Sequence, residues 1–142
     1  VSEITPLAEE IIMTKHEMYY AACVGVGRMV KSFDSKEKNK VKNKDFGWHS
    51  DIEGAIAEQA FAKWMGVYWD GSINTFKAPD VGVVQVRHTQ KLDGSLIVRP
   101  KDSDNEIFVL ITGSSPVYYM CGWLFGREAK QEQFVEPGYN GM

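Results

Sequence analysis

The stretch from Ser50 to Gly66, "SDIEGAIAEQAFAKWMG", constrains the fold more than any other part of the chain. Ser50 and Glu53 stand in the spacing of a capping box, in which each side chain satisfies a free amide of the first helical turn, and Gly66 supplies a stop. The pattern predicts a helix over 51–66. On that helix Glu58 shares a face with Gly54, Ala55, Phe61 and Ala62, its neighbours three and four positions away. A carboxylate on a small, apolar face is costly to desolvate, so it calls for a cation, either an arginine such as Arg28 or Arg87 or a bound metal.

A second helix is expected earlier. Thr5-Pro6 reads as an N-cap and first helical residue, Glu9 and Glu10 favour a helix N-terminus, and apolar residues recur at helical spacing from Leu7 to Phe33. Between the helices, "KSFDSKEKNKVKNKD" (31–45) carries six lysines and no apolar period, and reads as a flexible, Lys-rich surface loop. Lys36, Lys38, Lys40 and Lys42 are candidates there for contacts to phosphate. From Val67 onward the chain turns to β pattern. A first strand is expected over 67–76. "VGVVQVRHTQ" and "SLIVRP" flank Asp93-Gly94, a hairpin signal, and "EIFVLITG" and "VYYMCGWLFG" follow, with a short helix near 127–133. The expected class is α+β: N-terminal helices packed on a mixed, mostly antiparallel sheet, in one domain spanning 1–142.

Sixteen basic against nineteen acidic residues leave a net charge of −3, so any attraction for nucleic acid is local. The two cysteines, Cys23 and Cys121, have neither metal-ligand nor C-x-x-C spacing, which fits a reducing cytoplasm. No apolar run approaches the length of a membrane span, and no phosphate-binding loop of the G-x-x-x-x-G-K type is present. The aromatic strand 117–125 is a candidate surface for a homodimer.

The residues that carry chemistry begin at "APDVGVVQVRHT" (78–89). Gln85 and Arg87, two apart on a strand, face the same way, with Asp80 ahead of them and Glu58 on the preceding helix. This order, helix Glu, then Asp, then a polar residue-x-cation pair, resembles the PD-(D/E)XK nuclease superfamily. The segments "GAIAEQAFAK" (54–63), "DVGVVQVR" (80–87), "LIVRPKDSD" (96–104), "FVLITG" (108–113) and "GWLFGREAK" (122–130) are also similar to those of phage-encoded proteins. The nuclease resemblance implies a restriction-endonuclease-like fold and a metal-dependent DNA nuclease of phage or mobile-element type. It implies Mg²⁺ or Mn²⁺ held by Glu58 and Asp80, with Gln85 as a neutral oxygen ligand in place of the usual acid, and Arg87 on the scissile phosphate. In an unbroken strand Asp80 and Gln85 lie about 16 Å apart and on opposite faces, so a shared ion requires a bend, which Gly82 permits. The alternative is a nuclease-like fold that binds DNA or protein without cleaving, with Asp80 serving only as a turn residue at the start of a strand.

Overall fold

The computed structural model describes residues 8–33, 44–71 and 84–131. In chain order it contains β1 (Glu9–Ile12), α1 (Lys15–Ser32), α2 (Lys44–Met65), β2 (Val84–Thr89), β3 (Ile107–Ser114), β4 (Val117–Phe125) and a single turn of helix, α3 (Gly126–Ala129). The strands form one sheet in the order β1-β4-β3-β2, antiparallel at β1/β4 and β3/β4 and parallel at β2/β3. The class is α+β, with the helices ahead of most of the sheet and packed on it.

The first helix starts later than the Thr5-Pro6 signal predicts; those two residues lie outside the described ones. Glu9–Ile12 is a strand on β4, with Ile11 buried. The helix is opened instead by Thr14, whose hydroxyl accepts from the Glu17 amide at 3.2 Å while the Glu17 carboxylate accepts from the Thr14 amide at 2.7 Å. That reciprocal pair satisfies two otherwise free donors, and the TKHE spacing outweighs the upstream proline.

The second helix is longer than the Ser50 capping pattern predicts. It runs from Lys44 to Met65 through Ser50, and Gly66 follows at φ 72, the left-handed conformation that suits a glycine stop. Glu53, expected to cap that helix, turns inward instead. Its carboxylate accepts from the Ser115 amide at 3.0 Å, the Ser115 hydroxyl at 2.8 Å and the Tyr118 hydroxyl at 2.8 Å, tying α2 to the β3–β4 turn. Burial alone would push this carboxyl up, but the donors outweigh it and hold it below the usual carboxylate range. Burial and the same carboxylate push the Tyr118 hydroxyl far up, so it remains a donor. His88 Nε2 reaches the Gly113 carbonyl at 2.7 Å beside this network.

One face of the sheet, carrying Val84, Val109, Ile111, Tyr118 and Met120, packs on Ala55, Ile56, Ala60 and Phe61 of α2. Burial of the valine, isoleucine, methionine and phenylalanine side chains among them stabilises by about 1.5–3 kcal/mol each. The small residues let the layers approach closely. A Cβ built on Gly25 of α1 would lie 2.5 Å from the Ile52 Cα and 2.6 Å from the Asp51 carbonyl oxygen, so α1 and α2 meet backbone to backbone at that point.

The Asp93-Gly94 hairpin does not form. The Gly94 amide closes a turn on the Lys91 carbonyl at 2.9 Å, but 95–100 is not a strand, and β2 pairs with β3 in parallel. Parallel neighbours need a long crossover rather than a two-residue turn, and the stretch from 90 to 106 serves as that crossover. Residues 67–71 are likewise not a strand, and 72–76 lie outside the described residues. Of the expected Lys-rich loop over 31–45, Lys31 and Ser32 belong to α1 and Lys44 and Asp45 to α2, and 34–43 lie outside the described residues. Among the described residues no helix is long and apolar enough to cross a membrane.

Candidate functional site

Alternation along β2 sends Val84 and Val86 into the helix-side core and Gln85 and Arg87 to the opposite face of the sheet. There the two polar residues line a cleft of about 320 Å³, with Lys101, Asp102, Glu106 and Phe108 around them. The Gln-x-Arg pair therefore does share one site, as its spacing predicts.

Gln85, Arg87 and Asp102 are each positioned by an identifiable contact. The Gln85 side-chain amide donates to Glu106 Oε2 at 2.6 Å. The Arg87 guanidinium lies 4.9 Å from the centre of the Phe108 ring and reaches Asp102 Oδ2 through Nη2 at 3.2 Å. An arginine stacked on a ring and steadied at one edge keeps its planar fork of donors oriented. Asp102 is fixed in turn, accepting from the Arg99 amide at 2.7 Å. The crossover bearing it is clamped by Lys130, whose ammonium donates to the carbonyls of Pro100 (2.9 Å) and Asp102 and to Asp104 Oδ1 (2.7 Å). The amides of Gly126 and Arg127 close the clamp on the carbonyls of Glu106 and Asp104, at 2.9 and 3.0 Å. One wall of the cleft is thus a loop held by the chain that follows β4.

Glu58 lies in the helical layer instead. Arg28 Nη1 donates to its Oε2 at 2.6 Å and Nη2 to its Oε1 at 2.9 Å, and the Trp69 indole N–H reaches Oε1 at 3.3 Å. Both carboxylate oxygens are occupied, and α2 packs on the face of the sheet that Gln85 and Arg87 turn away from. The expected ligand trio of Glu58, Asp80 and Gln85 is corrected here: Glu58 and Gln85 stand on opposite sides of the sheet, and the cation beside Glu58 is Arg28. Asp80 lies outside the described residues, as do Lys36, Lys38, Lys40 and Lys42. Among the described residues no three His, Cys, Asp or Glu side chains come together as a metal-holding group.

Lys101, Glu106 and Lys130 escape sequence reading, as does the contact of Asp102 with Arg87. The parallel β2/β3 pairing brings them to Arg87, and only the turn-rich "RPKDSDNE" between the two strands hints at a built loop. Cys23 and Cys121 are both free thiols. In the aromatic strand proposed for a dimer, Trp123 is 55% exposed, while Val117–Met120 already pair with β1. Comparison with protein-family models, with curated proteins and with solved structures finds no match to this chain.

Proposed function

We propose that the protein engages the phosphodiester backbone of DNA through the cleft at Gln85 and Arg87, as a binding module of the nuclease-like class. The observation that supports this reading is the joint projection of Gln85 and Arg87 into one polar cleft beside Lys101, with Arg87 stacked on Phe108 and steadied by Asp102. Arginine presents a fork of donors that matches phosphate oxygens, and the pair occupies the positions that resemble the nuclease superfamily's acid-x-Lys strand. With a chain of net charge −3 and a cleft in which Arg87 and Lys101 stand beside Asp102 and Glu106, attraction rests on the arginine's donors and on the lysines of 36–42, so binding is modest and falls with salt.

The test is an anisotropy titration of a labelled duplex in EDTA. Wild-type protein binds, and Arg87→Ala weakens binding roughly tenfold while reducing the salt slope by about one. Equal affinity of wild type and Arg87→Ala overturns the reading.

A second reading, hydrolysis of the same backbone with Mg²⁺ or Mn²⁺, is favoured by one contact. Glu106 accepts from Gln85, which sets a carboxylate beside the Gln-x-Arg pair where the resemblance expects an acid. Glu58 is bound to Arg28, and among the described residues no three His, Cys, Asp or Glu side chains gather, so this reading draws on the Asp80 carboxylate beside that of Glu106. Nicking of duplex DNA that needs Mn²⁺ and is lost in both Glu106→Ala and Asp80→Ala supports it. Nicking that survives either change removes it.

A further inference from the structure

The helix α1 carries two apolar stripes, and only one of them is buried. Ala21, Val24, Gly25 and Met29 are buried, Gly25 against the backbone of α2. Tyr19, Cys23, Val26 and Val30 lie on the opposite side and are all exposed, Tyr19 to 76% and Val30 to 55%. Their steps of four, three and four residues set them in one row along the helix, the spacing of the seam in a coiled coil. No lysine, arginine or carboxylate interrupts the row between Lys15 and Lys31, because the two such residues in that span are engaged elsewhere. Glu17 accepts from Lys63 Nζ at 2.9 Å, and Arg28 donates to both oxygens of Glu58 at 2.6 and 2.9 Å.

Single apolar residues are ordinary on a protein surface, whereas a contiguous, uncharged row marks a contact with another molecule. We propose that this contact is a second copy of the chain, docked α1 on α1 about a two-fold axis. Charge and shape choose that occupant. The row offers nothing for an acidic or basic partner to pair with, and no like charge to repel its own copy. It is also self-complementary: in an antiparallel pair, where the helix dipoles oppose, Tyr19 lies over the partner's Val30 and Cys23 over the partner's Val26. Area sets the strength. With Tyr20 beside them, these side chains expose on the order of 500 Å² per copy, about 1,000 Å² in the pair, the lower end for a specific interface, so the dimer is weak and reversible. Self-association thus falls on α1 and not on the aromatic strand 117–125, and it uses none of the residues of the Arg87 cleft.

The test is sedimentation velocity of the full chain under reducing conditions, from the low micromolar to the near-millimolar range. Wild-type protein is expected to pass from monomer to dimer as concentration rises. Val26→Lys/Val30→Lys sets like charges in both copies of the seam and weakens association at least about tenfold. The thermal midpoint of the dilute variant stays at the wild-type value, because both positions are exposed and lysine is a good helix former. Trp123→Ser, on the aromatic strand, associates as wild type does. Cys23 lies near the middle of the row and the chain's other cysteine is Cys121, so a short bis-maleimide joins two copies of wild type but not of Cys23→Ser or the lysine variant. A chain that stays monomeric at every concentration overturns the proposal and gives the row to a different occupant, which α1 amide shifts with phosphatidylcholine vesicles would identify as a lipid surface. A dimer that persists in the lysine variant, or that is lost only in Trp123→Ser, overturns it as well.

Discussion

Removing the Glu58 carboxylate separates a structural ion pair from a metal ligand. Arg28 and Glu58 are joined by two parallel hydrogen bonds of 2.6 and 2.9 Å, with side chains only 16% and 10% exposed. Glu58→Ala takes the paired carboxylate from a largely buried guanidinium and this acceptor from the Trp69 N–H. Breaking a buried pair from one side costs about 3–5 kcal/mol, and the residual exposure of Arg28 argues for about 3. For a chain of this length that lowers the thermal midpoint by roughly 10 °C. Replacing both partners in the Arg28→Met/Glu58→Met double variant removes the buried charge as well and recovers stability to within about 1 kcal/mol of wild type, because the desolvation cost of the pair disappears with its attraction. The assay is urea unfolding followed by tryptophan emission, on wild type, both single variants and the double. A Glu58→Ala variant within about 0.5 kcal/mol of wild type, or a double variant less stable than either single, refutes the structural assignment.

Three further expectations follow from the packing and the charges. Gly25→Ala forces apart the backbones of α1 and α2 at Ile52, at a cost of about 1–3 kcal/mol that the better helix propensity of alanine, about 1 kcal/mol, offsets only in part; circular dichroism melts show the net loss. Glu53 is held below its ordinary value of 4.5, so its contribution is complete above that pH and is lost as pH falls through the folded value. His88, pushed below 6.5 by burial, loses stability in the same direction, and the melting midpoint of wild type falls on acidification while that of Glu53→Gln, lower at neutral pH, falls less and converges with it. Lys130→Met releases the loop carbonyls of Pro100 and Asp102 and loosens the wall that steadies Arg87. Duplex affinity then drops several-fold, with a fall of roughly 1 kcal/mol in stability.

The sequence makes some of this arrangement legible and hides the rest for physical reasons. Alternation in "VVQVRHT" places Gln85 and Arg87 on one face because strand geometry is local, and Gly66 ends α2 because a left-handed residue is needed at a helix stop. The start of α1 is misread because Thr5-Pro6 and Thr14-x-x-Glu17 both carry start signals, and the pairing of Glu9–Ile12 with β4, a contact across most of the chain, decides between them. Asp93-Gly94 makes a turn, as its residues dictate, but the partner of β2 is chosen by the sheet and lies beyond the turn. Glu58 needs a cation, as its apolar neighbours predict. That Arg28 supplies it follows from the close helix contact at Gly25, which no local pattern encodes.

Residue-resolved mapping of duplex DNA on the protein tests the central claim most directly. Amide shifts in ¹H–¹⁵N spectra, recorded in EDTA at low salt, are expected to be largest over 85–87 and 101–106, to fade as salt rises, and to vanish in Arg87→Ala. Shifts confined to α1 and α2, or none at low salt, contradict the proposal of the Gln85–Arg87 cleft as the DNA-binding surface.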